Sequence, residues 1–120
     1  MPSASLFNIR RVGKAATYSA AGLLWLVRHE AAFRQELALF AALFVAGQFL
    51  GFGAAAQAVH ISLMSAVLTV EALNTGLEKL VDRVSLAHHP LSGLVKDIGS
   101  AAVVLSFIPL AAFWGVRLWG

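Results

Sequence analysis

Four polar side chains recur at helical spacing over residues 71–82, and these residue types are suited to chemistry. They are Glu71, Asn74, Glu78 and Asp82. With ~3.6 residues per turn, all four fall on one stripe of an α-helix, and Thr75 borders that stripe. One helix face therefore presents several carboxylates and an amide side by side.

Glu71 is the most unusual of the four, because the sequence before it is apolar for a long distance. No Asp, Glu, Lys or Arg occurs over 37–70. If this helix enters a membrane near Gln57, Glu71 lies ~21 Å further along, inside a hydrocarbon layer ~30 Å thick. Carboxylates at such a depth usually face a site or a pathway. We therefore expect Glu71 to act as a general base.

The other polar clusters are expected at the same membrane surface as the end of this stripe. They lie at 29–36, 88–93 and 96–97. Carboxylates together with Lys and Arg are suited to a magnesium–nucleotide site, because Mg²⁺ prefers oxygen ligands and basic groups offset phosphate charge. The sequence contains no GxxxxGK[ST], GxGxxG or HExxH motif, so any use of ATP must occur without a standard nucleotide-binding fold.

The composition places these residues in a membrane protein. The chain has 120 residues, of which 59% are hydrophobic and 12% charged, and its mean hydropathy is +0.79. Because soluble domains carry about 25% charged residues, a free-standing soluble enzyme and a disordered chain are excluded. No cysteine is present, which removes disulfides and thiolate chemistry. The pI near 10.0 does not indicate nucleic acid binding, since the basic residues flank membrane-length apolar segments.

We predict a single all-α membrane domain over 1–120, with an amphipathic surface helix followed by three transmembrane helices. The surface helix and the three spans are expected at about 6–28, 31–50, 57–84 and 97–119. A tight turn is expected at 51–53, and a mild kink rather than a break at Pro109.

Basic residues are distributed asymmetrically about these spans. Of the nine Lys and Arg residues, only Arg117 falls on the far side. Because cytoplasmic segments are enriched in Lys and Arg, we expect the N-terminus and the 85–95 loop in the cytoplasm and the C-terminus outside. His60 is then expected near the outer face in a structural role, and Trp114 and Trp119 as interfacial anchors.

The polar segments resemble the bacterial integral-membrane diacylglycerol kinase family, which also contains undecaprenol kinases. The stretches that carry the resemblance are 30–36, 71–78, 81–83, 89–93 and 96–102. Its most specific part is the ExxNxxxE element that begins at Glu71, followed later by Lys96 and Asp97. The likeness covers nearly the whole chain.

The resemblance implies a homotrimer in the bacterial inner membrane, with active sites shared between neighbouring subunits. It implies an ATP-dependent lipid kinase that uses Mg²⁺ and transfers the γ-phosphate to the hydroxyl of diacylglycerol, giving phosphatidic acid. Glu71 matches the family's catalytic base and, with Asn74, contacts the lipid substrate; Glu30 and Glu78 match metal-binding acids that also lie at the nucleotide. The other implied nucleotide-binding positions are Arg11, Lys14, Tyr18, Ser19, Asn74, Asp82, His89, Lys96 and Asp97.

Two departures from the family pattern bear on the acceptor lipid. Pro90 follows His89 where Gram-negative lipid kinases have an acidic residue, and Leu94 and Val95 replace a more polar pair. An undecaprenol kinase of the same family therefore stays open as the alternative activity.

Simpler roles stay open for several of these residues. Glu30 and Glu78 would form interfacial ion pairs with Arg34 and Arg83, and Asp82 would be a solvated helix end. The N-terminal basic cluster would anchor to lipid headgroups, and the Lys-Asp pair would mark a helix start. At the level of the whole protein, a small proton-coupled transporter needs a carboxylate near the midplane with access from both sides, whereas the acids here crowd one face. A purely structural membrane subunit would leave the acidic stripe unexplained.

Overall fold

The computed structural model describes residues 8–120, which form four α-helices. They are α1 (Ile9–His29), α2 (Ala31–Phe49), α3 (Ala54–Val84) and α4 (Pro90–Trp119). No strand occurs within this described range, so the fold is all-α, as predicted. The predicted surface helix begins at about residue 6, and its first positions lie outside the described residues.

Two of the helices are long and apolar enough to cross a membrane, namely α3 with 31 residues and α4 with 30. At ~1.5 Å per residue, each exceeds the ~30 Å thickness of a hydrocarbon layer. In their most apolar windows only 22% of α3 and 6% of α4 is buried within the chain. Most of this apolar surface therefore faces outward, as expected for helices that contact lipid or other subunits.

The helices begin where local chemistry favours a start, which shifts two of the predicted boundaries. Gly53 is extended and is followed by an alanine run, so α3 begins at Ala54 rather than near 57. The His89 ring accepts a hydrogen bond from the Leu91 amide at 3.1 Å, and Pro90 occupies the first turn of α4. Hence α4 begins at Pro90 rather than at 97, and the predicted 85–95 loop is shorter. The same helix continues through Pro109 without a break.

A small apolar core holds α2, α3 and α4 together. Phe40 of α2, Met64 and Val67 of α3 and Leu110 of α4 form one buried cluster. Leu26 is the buried side chain of α1, so that helix joins the others mainly through its C-terminal part. The bundle has two ends, separated by the length of α2. At the charged end, α1 meets α2 and α3 is followed by α4. At the turn end, residues 50–53 connect α2 to α3.

At the turn end, a chain of hydrogen bonds links α2, α3 and α4. The Trp114 indole donates to Nε2 of His60 at 3.0 Å, and Nδ1 of His60 lies 2.9 Å from Oε1 of Gln57. Because Nε2 accepts, the proton of the neutral ring resides on Nδ1 and is donated to Gln57. Gln57 in turn donates to the Phe44 carbonyl at 3.0 Å and to Gln48. His60 is fully buried, in agreement with its predicted structural role, whereas Trp114 is a packing partner rather than only an interfacial anchor.

We predict that His60→Phe lowers the free energy of unfolding by about 1–3 kcal/mol, since the Trp114 indole and the Gln57 carbonyl lose their buried partners. The phenyl ring keeps the stacking against Phe113, whose centroid lies 5.1 Å from that of His60. Reversible unfolding in mixed detergent micelles measures the change. Trp119→Phe is the control, because Trp119 is 84% exposed; equal stability of both variants and wild type would disprove the role of the network.

Candidate active site

The predicted stripe on α3 exists as one face of that helix. Glu71, Asn74, Glu78 and Asp82 are all partly buried, whereas the leucines between them on the other faces are exposed. Thr75, which borders the stripe, is only 4% exposed. The helical spacing therefore turns these side chains inward at the charged end of the bundle.

Glu71 is paired with an acid that the sequence did not single out as a site residue. The Glu36 carboxyl of α2 lies within hydrogen-bonding reach of the Glu71 carboxyl. Oε2 of Glu36 is buried and receives no hydrogen bond from a donor in the described chain. The site thus contains a carboxyl pair rather than one isolated glutamate.

Asn74 and Glu78 form the next layer of the stripe. Nδ2 of Asn74 donates to Oε1 of Glu78 at 3.5 Å, a long hydrogen bond that keeps the two groups on one side of α3. Oδ1 of Asn74 is buried without a hydrogen-bond partner and rests against Gly99 of α4. The Glu78 carboxylate is thereby left with an oxygen free to bind another group.

Asp82 of α3 and Lys96 of α4 form an ion pair at the charged end of the bundle. Nζ of Lys96 lies 3.1 Å from Oδ1 of Asp82, and the two side chains are 46% and 39% exposed, respectively. They border a cavity of about 240 Å³ whose other walls include His88, His89 and the α3–α4 loop. Two predicted nucleotide-binding residues therefore form an ion pair with each other. Asp97 follows on the exposed surface of α4, inside the helix rather than at its start.

Glu30 occupies the junction between α1 and α2. It is partly buried and has an extended backbone. Within the described residues it forms no salt bridge with Arg34, because Nη1 of Arg34 instead donates to the carbonyls of Val27 and Arg28 at 3.0 and 3.1 Å. Arg34 therefore caps the end of α1, and the carboxylate of Glu30 is not neutralised by it.

The N-terminal positions lie apart from this cluster. Arg11, Lys14 and Tyr18 line a shallow groove of about 410 Å³ formed by α1 residues alone. Ser19 is exposed on the same helix and is absent from that lining. The single chain thus divides the predicted nucleotide-binding residues into one set on α1 and another set on α3 and α4.

The donor chemistry of the acids fits a hard divalent cation. Mg²⁺ is usually held by one or two carboxylates together with substrate phosphates and water, and Glu30 and Glu78 are oxygen donors at the charged end. Across residues 8–120, no group of three or more His, Cys, Asp or Glu side chains forms a cluster able to hold a metal by itself. A metal at these acids would be completed by further oxygen ligands, such as carbonyl groups, water or nucleotide phosphates.

An apolar groove opens between α1, α2 and α3. It has a volume of about 520 Å³ and is open to the surface of the bundle. Its walls come from the end of α1, the start of α2 and the middle of α3, and they include Phe33, Leu37, Leu68, Ala72 and Leu73. Glu71 does not line this groove, and Leu73 lies on a different face of α3 from the stripe.

Comparison with known proteins gives a consistent result over nearly the whole chain. The family profile described as Prokaryotic diacylglycerol kinase matches residues 17–118. The chain is 40% identical over 109 residues to the protein named Diacylglycerol kinase of Escherichia coli (strain K12), covering 91% of this chain and 89% of that protein. It is 39% identical over 113 residues to the Diacylglycerol kinase of Pseudomonas aeruginosa PAO1, covering 94% and 92%. The Helicobacter pylori protein of the same name is 36% identical over 113 residues.

Proposed function

The chain belongs to the prokaryotic diacylglycerol kinase family, and on that basis we propose that it transfers the γ-phosphate of ATP to the hydroxyl of diacylglycerol, giving phosphatidic acid. The observation that carries the proposal is the partly buried stripe of Glu71, Asn74, Glu78 and Asp82. Asp82, at one end of the stripe, pairs with Lys96, and the same helix also borders an apolar groove on another of its faces. An acceptor with an apolar body and a polar hydroxyl needs both environments.

Glu71 is the proposed general base. As the lipid oxygen attacks the γ-phosphorus, its proton passes to the Glu71 carboxylate, and the bond from the γ-phosphorus to the β–γ bridging oxygen breaks, releasing ADP. General bases of this kind act by removing the proton in the transition state. The reaction is otherwise governed by positioning and by stabilisation of charge on the phosphoryl group.

Glu36 is proposed to hold Glu71 in place. With one proton between the two carboxyl groups, Glu36 donates a hydrogen bond and Glu71 stays available as the acceptor of the substrate proton. An amide at position 36 preserves this donation, since the Gln side chain carries an N–H donor and occupies a similar volume.

We therefore expect Glu36→Gln to keep kcat near the wild-type value, whereas Glu36→Ala reduces it by about tenfold, the worth of one hydrogen bond to a charged group. The measurement is steady-state turnover of both variants in the same detergent. A Glu36→Gln variant as impaired as Glu36→Ala would contradict the positioning role.

Glu30 and Glu78 are the proposed metal-binding residues, and Mg²⁺ bound there would offset charge on the β- and γ-phosphates. Asn74 holds Glu78 by the hydrogen bond between their side chains. Asp82, His89, Lys96 and Asp97 surround or adjoin the cavity that would receive the nucleotide. Because Lys96 is paired with Asp82, nucleotide binding is expected to compete for that ammonium group.

The chain is proposed to act as a homotrimer in the bacterial inner membrane. Two features support association: most of the apolar surface of α3 and α4 is unburied within one chain, and the basic groove of Arg11, Lys14 and Tyr18 is built by α1 alone. If a neighbouring subunit brings its α1 over the α3–α4 cavity, the two separated sets of nucleotide-binding residues, including Ser19, combine into one site. Three spans, a cytoplasmic N-terminus and an external C-terminus complete the proposal.

A purified-protein assay with ATP and a panel of acceptor lipids tests the function. We expect phosphate to appear on diacylglycerol, with ADP formed in equal amount. Faster phosphorylation of undecaprenol would favour the alternative activity, and the Pro90 departure from the family pattern is a reason to include it. The absence of phosphate on every lipid, combined with proton flux in vesicles, would favour the transporter instead.

A further inference from the structure

Gly99 of α4 packs directly against the side chain of Asn74 in the candidate active site. It is buried, and a Cβ atom placed on it would overlap Oδ1 of Asn74 and lie 3.0 Å from Cγ of that residue. The Asn74 amide therefore occupies the space in which any other residue at position 99 would carry its side chain. Most other glycines of the described chain, including Gly76 and Gly115, have no atom within 4 Å of the same position.

The contact has a consequence for Glu78, because Asn74 connects the two. Oδ1 of Asn74 rests against Gly99, and Nδ2 of the same amide donates to Oε1 of Glu78. If the amide is displaced from α4, its Nδ2 moves as well, since the group is planar and rigid. Oδ1 has no other partner that would hold it, so the approach of α4 is what determines the amide's orientation.

We propose that Gly99 is a positioning residue for metal binding: the absence of its side chain lets α4 press on Asn74 and thereby orient the Glu78 carboxylate. This inference rests on the proposed function, since it assigns Glu78 to the metal. Removing a residue that holds a metal ligand in position without binding the metal itself typically lowers metal affinity or activity by about 10- to 100-fold.

The test compares Gly99→Ala with Gly115→Ala, which adds the same methyl group to the same helix at a position with open space. Mn²⁺ binding in the presence of a non-hydrolysable ATP analogue, followed by electron paramagnetic resonance, needs no turnover. We expect Gly99→Ala to weaken Mn²⁺ binding by about 10- to 100-fold and Gly115→Ala to leave it unchanged. Equal binding by Gly99→Ala and wild type would overturn the inference.

A double-mutant cycle with Asn74→Ala separates positioning from a general packing defect. In the Asn74→Ala background the added methyl group has no amide to displace, so Gly99→Ala is expected to cause no further loss. If Gly99→Ala alone fails to fold but the double variant folds, the conflict with Asn74 is confirmed. Two outcomes would overturn the inference. In the first, Gly99→Ala weakens Mn²⁺ binding by the same factor in the Asn74→Ala background as in wild type. In the second, the double variant also fails to fold; in either case Gly99 serves helix packing. Failure of the proposed function is seen separately, as normal Mn²⁺ results without lipid phosphorylation.

Discussion

Replacing Glu71 by Gln is expected to lower kcat for lipid phosphorylation by about 10²- to 10⁴-fold, the usual contribution of a general base. The amide has nearly the same shape as the carboxylate but cannot accept the proton of the lipid hydroxyl. Beside Glu36, it would still take part in a hydrogen bond, so the local packing between α2 and α3 is retained. The effect should therefore fall on the chemical step rather than on folding.

The measurements that distinguish these outcomes are turnover, Mg·ATP binding and thermal stability of the same preparation. We expect unchanged nucleotide affinity and an unchanged thermal midpoint with a strongly reduced kcat. Turnover of Glu71→Gln near the wild-type rate would show that another group, or water, takes the proton. A large loss of stability would instead indicate that Glu71 is a structural carboxyl group between helices.

The helical stripe is the part of the site that could be predicted most directly. Residues on one helix share a face for reasons of backbone geometry alone, so Glu71, Asn74, Glu78 and Asp82 were expected together before any tertiary structure was known. The assignment of the chain as an all-α membrane protein followed in the same way from its long uncharged stretches.

Contacts between helices could not be read from the sequence, because they depend on the register of one helix against another. The approach of Glu36 to Glu71 requires the α2–α3 turn to place these two positions at one level. The close packing of Gly99 on Asn74 depends similarly on α4. The bond from Trp114 to His60 joins residues 54 positions apart. In each case the sequence shows the polar or small residue but not its partner on another helix.

Helix boundaries differ from the predicted spans for a related reason. The predictions used membrane thickness and charge, which define where a helix crosses the bilayer, whereas capping defines where the helix begins. His89 and Pro90 start α4 before its apolar part, so Lys96 and Asp97 lie inside a helix rather than at its start. That placement lets Lys96 reach Asp82 across to α3, a contact that a flexible loop would not hold in a fixed geometry.

Replacing Glu78 by Gln is expected to cause the second large loss, by about 10²- to 10³-fold in kcat/KM, as when a charge-stabilising group is removed from a transition state. A neutral amide is a weaker ligand for Mg²⁺ than a carboxylate, and Asn74 Nδ2 loses the negative charge of its acceptor. The loss should therefore be accompanied by a higher Mg²⁺ requirement, which Glu71→Gln does not share.

The two variants thus serve as controls for each other, since both exchange a carboxylate for an amide on the same face of α3. Titrating Mg²⁺ at saturating lipid should partly restore Glu78→Gln and leave Glu71→Gln unchanged. Equal dependence on Mg²⁺ in both variants and in wild type would contradict the assignment of Glu78 as a metal ligand. Residues of one catalytic unit have non-additive effects, so the turnover of the Glu71→Gln, Glu78→Gln double variant should be little lower than that of Glu71→Gln alone. If the two losses in turnover instead multiply, Glu78 supports the protein through a separate role.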